Sequence, residues 1–464
     1  MMIRRLGESF SESFKRLMPD AFVFALLLTI LVVLLALIYT PSGPLTVLEA
    51  WYTGFWDLLD FGMQMVLILV TGFAIALSPP IQKGVDHLSK WLSSPTKVYL
   101  GVMLFGALFT LVSWSWIVMT ALLARQLAEK VEGIDYPYLV ACVYLTFHGW
   151  VAGLSSSIPL LLNTPDNFLI KSGILSDTLS TGITLGSTLN LFFILFIFTL
   201  PPLLMVLLKP KDKTIPIDQL CILEEPEEKL SVETEALQLS GGKRTFSDYL
   251  NGNSWITGIV VLMGWVYIFQ RFIREGFGLD LPIMIFIFLM TGMTLHKTPL
   301  RYVLAMKRAS SNISGIVFQY PFYAGIMGIM LHTGLGDAIA VFLASHANLI
   351  TYPFYAFLAG GIVNFAIPSA GGEFAVLAPG ILKAVANLAH ESGLDPEPLQ
   401  ARASMAIAYG ESLTNLLQPF FFLTIVPVMC KGLYLQARDV LGHLIIPFIL
   451  YFILEALMVT FFPL

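Results

Sequence analysis

The sequence predicts an all-α polytopic membrane protein, built as an inverted repeat with two re-entrant hairpins, two broken transmembrane helices and about nine crossings. Three observations predict this fold class. The composition is 56% hydrophobic and only 12% charged, whereas soluble domains carry about 25% charged residues. Apolar segments of membrane length recur along the chain. Four further apolar segments, two in each half, are interrupted by polar and helix-breaking residues.

The chain divides into four parts in order. Residues 1–19 predict an amphipathic helix on the inner membrane surface, and 209–252 predict a polar linker between two membrane repeats at 20–208 and 253–464. A helix that crosses the apolar core needs about 20 residues. The uninterrupted candidates are 20–40, 58–78, 186–208, 253–270, 281–297, 312–333 and 441–463. The interrupted segments are hairpins at 97–130 and 351–390 and broken helices at 137–163 and 402–430.

The charge distribution orients these segments. With a cytoplasmic N-terminus, the arrangement places 21 of the 26 Lys and Arg residues on the cytoplasmic side. Cytoplasmic loops of membrane proteins are enriched in these residues. The sequence therefore predicts a cytoplasmic N-terminus, a C-terminus on the outer side, and a cytoplasmic position for the linker 209–252, whose simplest role is that of a solvated tether.

Short patterns recur in the same order in both halves. Phe61-Gly62-Met63-Gln64 pairs with Ile316-Val317-Phe318-Gln319, and Ala141-Cys142-Val143-Tyr144 pairs with Ala406-Ile407-Ala408-Tyr409. The extra span 253–270 reverses the direction of the second half. The repeat is therefore predicted to be inverted, an arrangement that lets one site face either side of the membrane alternately.

The interruptions predict a substrate site. Broken helices persist in a bilayer only against protein or a wet cavity, and their N-termini favour an anion without a buried Lys or Arg. The candidate substrate-binding residues are Ser113, Trp114, Ser115, Trp116, Ser155, Ser156, Ser157, Asn364, Pro368, Ser369, Gly371, Ser412, Thr414 and Asn415. The alternatives are helix packing for the small residues and interfacial anchoring for the tryptophans.

Four residues are candidates for binding a coupling ion. Glu411 is the foremost, because a carboxylate inside a span costs roughly 2.5–3.5 kcal/mol and usually faces the protein interior. Glu373, Asn364 and His148 are further candidates, and a structural hydrogen bond is the alternative role. Na⁺, bound near the hairpin tips, and H⁺ are both open as the coupling ion. No resident metal or other cofactor is expected.

Motifs for soluble chemistry are missing from the sequence. It has no Walker A loop, and His390-Glu391-Ser392-Gly393-Leu394 lacks the second histidine of a zinc protease motif. We therefore expect no catalytic residues, no enzyme activity and no nucleic-acid partner. The energy for transport would come from an ion gradient.

Five stretches of the chain resemble a known family. They are Gly54-Phe55-Trp56-Asp57-Leu58-Leu59 with Phe61-Gly62-Met63-Gln64-Met65, Leu295-His296-Lys297-Thr298-Pro299, Phe322-Tyr323-Ala324-Gly325-Ile326, Asn364-Phe365-Ala366 with Pro368-Ser369, and Met405-Ala406-Ile407-Ala408-Tyr409-Gly410-Glu411. In these stretches the chain resembles the bacterial short-chain fatty acid transporters of the ion transporter superfamily.

The resemblance implies a function and an assembly. It implies uptake of short-chain fatty acids such as butyrate or acetoacetate across the bacterial inner membrane. Because the site is built from helix ends, we also expect symport, in which a co-transported cation offsets the charge of the anion. It also implies a homodimer in membrane lipid and elevator-type alternating access. Two alternatives stay open at this point. One is an exchanger or exporter of another small organic anion or amino acid, and the other is an intramembrane enzyme, against which the missing catalytic dyad argues.

Overall fold

The described part of the chain is helical. The computed structural model describes residues 21–57, 59–112, 114–165, 167–171, 173–210, 214–221, 232–239, 245–276, 281–310, 314–344, 346–365, 367, 370–418, 422, 424–430 and 432–462. Within these ranges the only β-type pairing is an isolated bridge between Cys221 and Leu433. The predicted all-α fold class is confirmed, while the number of crossings stays a prediction. The amphipathic helix predicted over 1–19 lies outside the described residues.

The described part of the first half contains ten α-helices. They are α1 (Ala21–Tyr39), α2 (Pro44–Asp57), α3 (Leu59–Ala76), α4 (Pro79–Ser89), α5 (Pro95–Val112), α6 (Ile117–Lys130), α7 (Tyr136–Thr146), α8 (Ser157–Leu162), α9 (Phe168–Lys171) and α10 (Thr188–Leu208). A 3₁₀ turn, Trp114–Trp116, lies between α5 and α6, and a 3₁₀ segment, Phe147–Ala152, follows α7. The segments 97–130 and 137–163 are therefore helical on both sides of an interruption.

The linker and the second half continue the helical pattern. After a 3₁₀ turn at Ile217–Leu220, the helices are α11 (Val232–Leu239), α12 (Phe246–Asn251), α13 (Ser254–Glu275), α14 (Leu281–His296), α15 (Pro299–Ser310), α16 (Ser314–His332), α17 (Leu335–Ala344), α18 (Tyr352–Asn364), α19 (Ala370–Glu391), α20 (Pro396–Asn415), α21 (Val426–Met429), α22 (Ala437–Leu441) and α23 (Ile445–Phe461).

The two halves present the same order of long and short helices. Each half has a long, a short, a long and a short helix, then two helices joined at an interruption, then an interrupted helix and a final long helix. The short helices α2, α4, α15 and α17 were not among the predicted elements. Helix α13 stands between the two series, where the extra span was predicted. The inverted orientation of the halves stays a prediction.

Capping side chains fix where the interrupted helices and the final helix of the first half begin. Asp135 accepts a hydrogen bond from the Tyr138 backbone at 2.9 Å at the start of α7. Ser187 does the same for α10, and Asp395 for α20. Because the first amides of a helix lack partners within the helix, these oxygens stabilise each start.

Burial separates the helices that face lipid from those in the protein interior. Among the described residues, five helical runs are long and apolar enough to cross a membrane: Pro95–Val112, Tyr136–Leu162, Thr188–Leu208, Phe246–Arg274 and Ala437–Phe461. In the apolar 18-residue stretch of the run Tyr136–Leu162, 89% of the residues are buried inside the protein, against 17% in that of Phe246–Arg274. The first interrupted helix therefore lies in the interior, whereas α13 exposes its apolar side chains as a lipid-facing helix does.

A glycine contact joins α2 and α16 outside the interrupted segments. A Cβ atom at Gly54 would lie 2.6 Å from the Cα of Gly328, and a Cβ at Gly328 would lie 2.5 Å from the Cα of Gly54. Only glycine permits backbones this close. Helices α1 and α2 thereby pack on α16 and form a framework beside the interrupted segments.

Part of the described linker is packed on the protein and does not form the solvated tether that we expected, whereas α12 has no buried residue. Val232 and Ala236 of α11 are buried against Ala74, Leu304 and Ala305. The linker backbone is also anchored at Ile215, whose amide donates to Asp135 Oδ2 at 3.0 Å. Apolar side chains on one face of α11 explain the difference, because their burial outweighs the polar composition of the linker.

Candidate functional site

The first hairpin tip contacts the interruption in the first broken helix. The Trp114 amide donates to Ser155 Oγ at 2.9 Å, and the Leu154 amide donates to the Leu111 carbonyl at 2.7 Å. A Cβ at Gly153 would lie 2.1 Å from that same carbonyl oxygen. The two irregular segments therefore satisfy each other's backbone groups, as irregular backbone inside a membrane requires.

Polar side chains from neighbouring helices satisfy the carbonyls that the first broken helix leaves free. Thr110 of α5 donates its hydroxyl to the Thr146 carbonyl at 2.9 Å. Asn190 of α10 donates its amide to the Ala152 carbonyl at 3.0 Å. All four residues are buried. These side chains thus stabilise the irregular backbone of the interruption, because an unpaired buried carbonyl would be costly.

Asn364 joins the second hairpin to the second broken helix. Its Nδ2 donates to the Glu411 carbonyl at 3.1 Å, to Thr414 Oγ1 at 2.9 Å and to Asn415 Oδ1 at 2.6 Å. Gln418 Nε2 donates to the Asn364 carbonyl at 2.8 Å. One buried amide therefore positions the tip against the end of α20, where the polar candidates lie.

Backbones approach closely below this tip. A Cβ at Gly410 would lie 1.9 Å from the Phe357 carbonyl oxygen, and a Cβ at Gly360 would lie 2.3 Å from the Ile407 carbonyl oxygen. Such close approach requires glycine. Gly410 and Gly360 therefore pack α18 against α20, in agreement with the packing alternative for small residues.

Hydrogen bonds and aromatic rings connect the two half-sites. The Tyr144 hydroxyl donates to the carbonyls of Asn415 and Gln418, the latter at 3.0 Å. Tyr144 also stacks on Phe147 at 6.5 Å between ring centroids, and Phe147 contacts Trp114 of the first tip at 6.2 Å. Both tips and both interruptions thus belong to one continuous interior region.

Two carboxyl groups lie buried beside the second tip. Glu373 and Glu411 are both 0% exposed and interact electrostatically with each other. None of their four carboxyl oxygens has a hydrogen-bond partner among the described residues. The same holds for Asn364 Oδ1 and Gln418 Oε1. These six oxygens lack a hydrogen bond within the described chain, although the Asn415 side chain lies near enough to Glu411 to interact with its carboxyl. Buried oxygens of this kind form an environment suited to a cation or a proton.

Comparisons with known proteins agree with one another. The family described as "Short chain fatty acid transporter" matches residues 2–462. The chain is 34% identical over 447 residues to the Escherichia coli (strain K12) protein named "Putative short-chain fatty acid transporter", with 96% of each chain covered. A Haemophilus influenzae (strain ATCC 51907 / DSM 11121 / KW20 / Rd) protein of the same name is 32% identical over 448 residues, with 95% of this chain and 96% of that one covered.

The chain belongs to the short-chain fatty acid transporter family. A crystal structure of the Alcanivorax borkumensis YdaH transporter, described as having an unusual topology, is also similar. The match covers 94% of this chain and 97% of that chain, at 16% identity and a TM-score of 0.43. The resemblance stated from the sequence is confirmed, and with it the assignment of the chain as a membrane protein of a transport family.

The transporter places most of the predicted residues in this interior region. Ser156, Asn364, Ser412, Thr414 and Asn415 are buried there. Trp114, Ser155 and Ser157 are partly buried, and Ser157 lies in the first turn of α8. Ser113, Pro368, Ser369 and the side chain of Ser115 lie outside what the structure describes.

Two of the predicted residues have different surroundings. Trp116 stacks on Phe288 of α14 at 6.2 Å and contacts Phe109 of α5, so it packs between these two helices. Gly371 is exposed in the first turn of α19 and has open space around it.

The second interruption occurs later than we expected. The polar run Tyr409–Asn415 lies in the last two turns of α20, which continues unbroken to Asn415. Residues 416 and 417 form a turn after α20, residue 422 is helical, and α21 begins at Val426. The difference has a physical reason, because Thr414 Oγ1 donates to the carbonyls of Gly410 at 3.2 Å and Glu411 at 3.1 Å within the helix. Ser and Thr on a buried helix bond back to its own carbonyls and need not break it.

Several residues of the site were not predicted from the sequence. Glu455 of α23 is 1% exposed and contacts His148 Nε2 at 2.6 Å. A carboxylate inside the apolar run 441–463 was the available indication. Gln418, Asn190 and Tyr144 were missed as well, since a polar residue with no neighbouring polar run gives little indication of its partner.

Proposed function

We propose that the protein is a secondary active transporter of short-chain monocarboxylates such as butyrate or acetoacetate. The observation that carries the proposal is the meeting of both hairpin tips with both interrupted helices in one buried polar region. Interrupted helices in transporters bind substrate where they meet. Family membership supports the same substrate class.

The carboxylate head would be bound by hydroxyls, amides and backbone N–H groups. Ser156 Oγ and Asn415 Nδ2 are buried and lack a hydrogen-bond partner within the described chain. Both can donate to an anion. The rings of Trp114 and Phe147, which contact each other, would pack on a short apolar tail. A short tail fits this surface because burying apolar area is favourable in proportion to that area.

A coupling cation would offset the negative charge. Glu373 and Glu411 already bring two acidic groups into a dry interior, and a carboxylate substrate would add a third. Burying charge of one sign without compensation is strongly unfavourable. Na⁺ or H⁺ bound by Glu373 and Glu411, with Asn364 Oδ1, would supply the positive charge. Cation and substrate would then enter together, which is symport.

Alternating access would move the two tips and the two interrupted helices as a unit against the framework of α1, α2 and α16. The Tyr144 hydroxyl bonds and the glycine contact of Gly54 with Gly328 support this division, since one lies within the moving unit and the other within the framework. We further propose the bacterial inner membrane as location, a cytoplasmic N-terminus and a homodimer. No step in this cycle calls for enzyme chemistry.

Uptake of labelled butyrate into proteoliposomes tests the proposal. We expect a saturable component, above the diffusion measured in protein-free liposomes, that an inward Na⁺ or H⁺ gradient accelerates. Glu411→Gln should lose the acceleration, because the amide cannot bind a proton and holds a cation weakly. Glu397→Gln, at the exposed end of the same helix, is the matched control. No saturable uptake or exchange under any gradient would refute the carboxylate reading, and export against imposed gradients would favour the exporter alternative.

A further inference from the structure

A histidine and a glutamate form a buried pair between the first broken helix and α23. His148, in the 3₁₀ segment of the first broken helix, and Glu455, in the middle of α23, are each 1% exposed. His148 Nε2 lies 2.6 Å from Glu455 Oε1. Ser412 of α20 contacts the other ring nitrogen, His148 Nδ1, at 3.0 Å. The pair therefore joins three membrane segments from both halves of the chain.

The hydrogen bonds determine how many protons the pair holds. Ser412 donates its hydroxyl hydrogen to the His148 carbonyl at 2.7 Å. A hydroxyl has one hydrogen, and with that hydrogen on the His148 carbonyl the contact at 3.0 Å is a hydrogen bond when His148 Nδ1 carries a hydrogen and donates it to Ser412 Oγ. Nε2 then faces Glu455 Oε1 across a distance that a single proton bridges. Imidazolium with carboxylate and imidazole with carboxylic acid both fit, and both are electrically neutral.

The surroundings require that proton. His148 stacks on Tyr451 at 5.6 Å and contacts the ring of Phe193 at 5.2 Å. The titratable groups that face the pair are Tyr409 from α20, Tyr451 from α23 and, next to Tyr451, Cys142 from α7. Phenols and thiols are neutral near pH 7. Loss of the proton would leave a buried carboxylate against a nitrogen lone pair, which is strongly unfavourable while the pair stays dry.

A metal ion does not fit between the two atoms. Metals bind nitrogen and oxygen at about 2.0–2.2 Å each, which sets the two ligand atoms roughly 3 Å apart or more. The observed separation of 2.6 Å is that of a short charge-assisted hydrogen bond. The chemistry of the pair is therefore that of proton binding.

We propose that His148 and Glu455 bind the proton that accompanies each carboxylate, at a site separate from the Glu373 and Glu411 carboxyls, which then bind Na⁺. This inference rests on the proposed function. The proton would bind from water on the outer side together with the substrate. It would return to water on the inner side when the bond from Nε2 or Oε1 to hydrogen breaks as the pair is hydrated.

The connection to the substrate region is short. Ser412, which bonds His148, precedes Thr414 and Asn415 by two and three residues on α20, and both of these bond Asn364 at the second tip. Glu455 lies on a different helix. A shift of α20 when the tip opens would therefore move His148 relative to Glu455, and thereby link release of the proton to release of the substrate.

Glu455→Gln is the informative variant. The amide can donate to His148 Nε2 and preserve a neutral contact, but it cannot release a proton. Proteoliposomes with equal Na⁺ on both sides would be assayed for two activities. One is exchange of external labelled butyrate for internal butyrate, and the other is the saturable initial rate of net uptake with and without an inward proton gradient. Protein-free liposomes supply the background from diffusion of the undissociated acid.

Exchange needs no deprotonation, because the carrier returns with substrate and proton still bound. Net uptake does need deprotonation, because the carrier must return empty. Wild type and the control Glu397→Gln should show both exchange and a severalfold acceleration by the gradient. Glu455→Gln should keep exchange and lose the acceleration entirely. A Glu455→Gln protein that still responds to the gradient like wild type overturns the proposal.

The remaining outcomes are also decisive. Exchange by wild type with no response to the proton gradient overturns this inference and leaves carboxylate transport standing. No saturable uptake or exchange by wild type overturns both. Should Glu455→Gln lose exchange as well, Glu455→Asp retains an ionisable carboxyl. Recovery of exchange and gradient response in Glu455→Asp supports the proposal, and loss of both overturns it in favour of a packing role.

Discussion

Gly410→Ala should disable the second hairpin while leaving the framework intact. The new Cβ would lie 1.9 Å from the Phe357 carbonyl oxygen, and normal contact would require a shift of about 1.5 Å between α18 and α20. The Asn364 bonds of 2.6–3.1 Å would not survive such a shift.

The magnitude follows from these two effects. Overpacking costs about 1–3 kcal/mol. The two hydrogens of Asn364 Nδ2 are shared among three acceptors and count as two hydrogen bonds, whose loss costs about 1 kcal/mol each. A loss of roughly 2 kcal/mol from the tip contacts alone lowers the population of the transport-competent arrangement about 30-fold. We therefore expect butyrate uptake to fall by at least that order, with a lower unfolding temperature.

Gly258→Ala is the matched control for this prediction. Gly258 lies in α13 with open space around it, so the added methyl meets nothing. The same chemical change there should be neutral or should stabilise by up to about 1 kcal/mol through helix propensity. Both variants would be measured by uptake and by thermal unfolding in the same detergent. If Gly410→Ala transports like Gly258→Ala, the contact of α18 with α20 is not required for transport.

Two further changes test other contacts. Ser155→Ala removes the acceptor of the Trp114 amide. It should lower butyrate uptake and speed amide hydrogen exchange at the first tip, measured by mass spectrometry. An unchanged rate of amide hydrogen exchange would contradict the contact. Arg402→Gln removes the bonds from the guanidinium to the carbonyls of Val459, at 2.9 Å, and Phe462 at the end of α23. It should cost about 1–3 kcal/mol in unfolding free energy, and an unchanged unfolding temperature would show that this end of α23 is held by other contacts.

The long helices of the fold were predictable because the length of each apolar run in the sequence matches the length of the helix it forms. The run 186–208, for example, corresponds to the helix Thr188–Leu208. The short helices α2 and α4 were not predictable in the same way, since they are stabilised by packing on other elements. The contact of Gly54 with Gly328, which positions α2, joins residues far apart in the sequence.

The sequence indicated many of the residues that line the site, but not which of them contact each other. Clusters of polar residues pointed to Asn364 and Thr414, and the structure joins them. His148 was singled out without its partner, because Glu455 lies 307 positions away. The polar run before Asn415 also misled us about the break, since hydroxyls that bond to carbonyls of the same turn leave no mark in the sequence.

The Tyr144 hydroxyl has a thermodynamic consequence. It donates hydrogen bonds from the first broken helix to the carbonyls at the end of α20. Ordering the first tip and its broken helix therefore lowers the entropy cost of ordering the second tip and α20. A ligand bound at either end therefore tightens binding at the other by a common factor. The affinity for butyrate measured with and without the cation, and the affinity for the cation measured with and without butyrate, must then change by the same ratio, and Tyr144→Phe should bring that ratio towards unity.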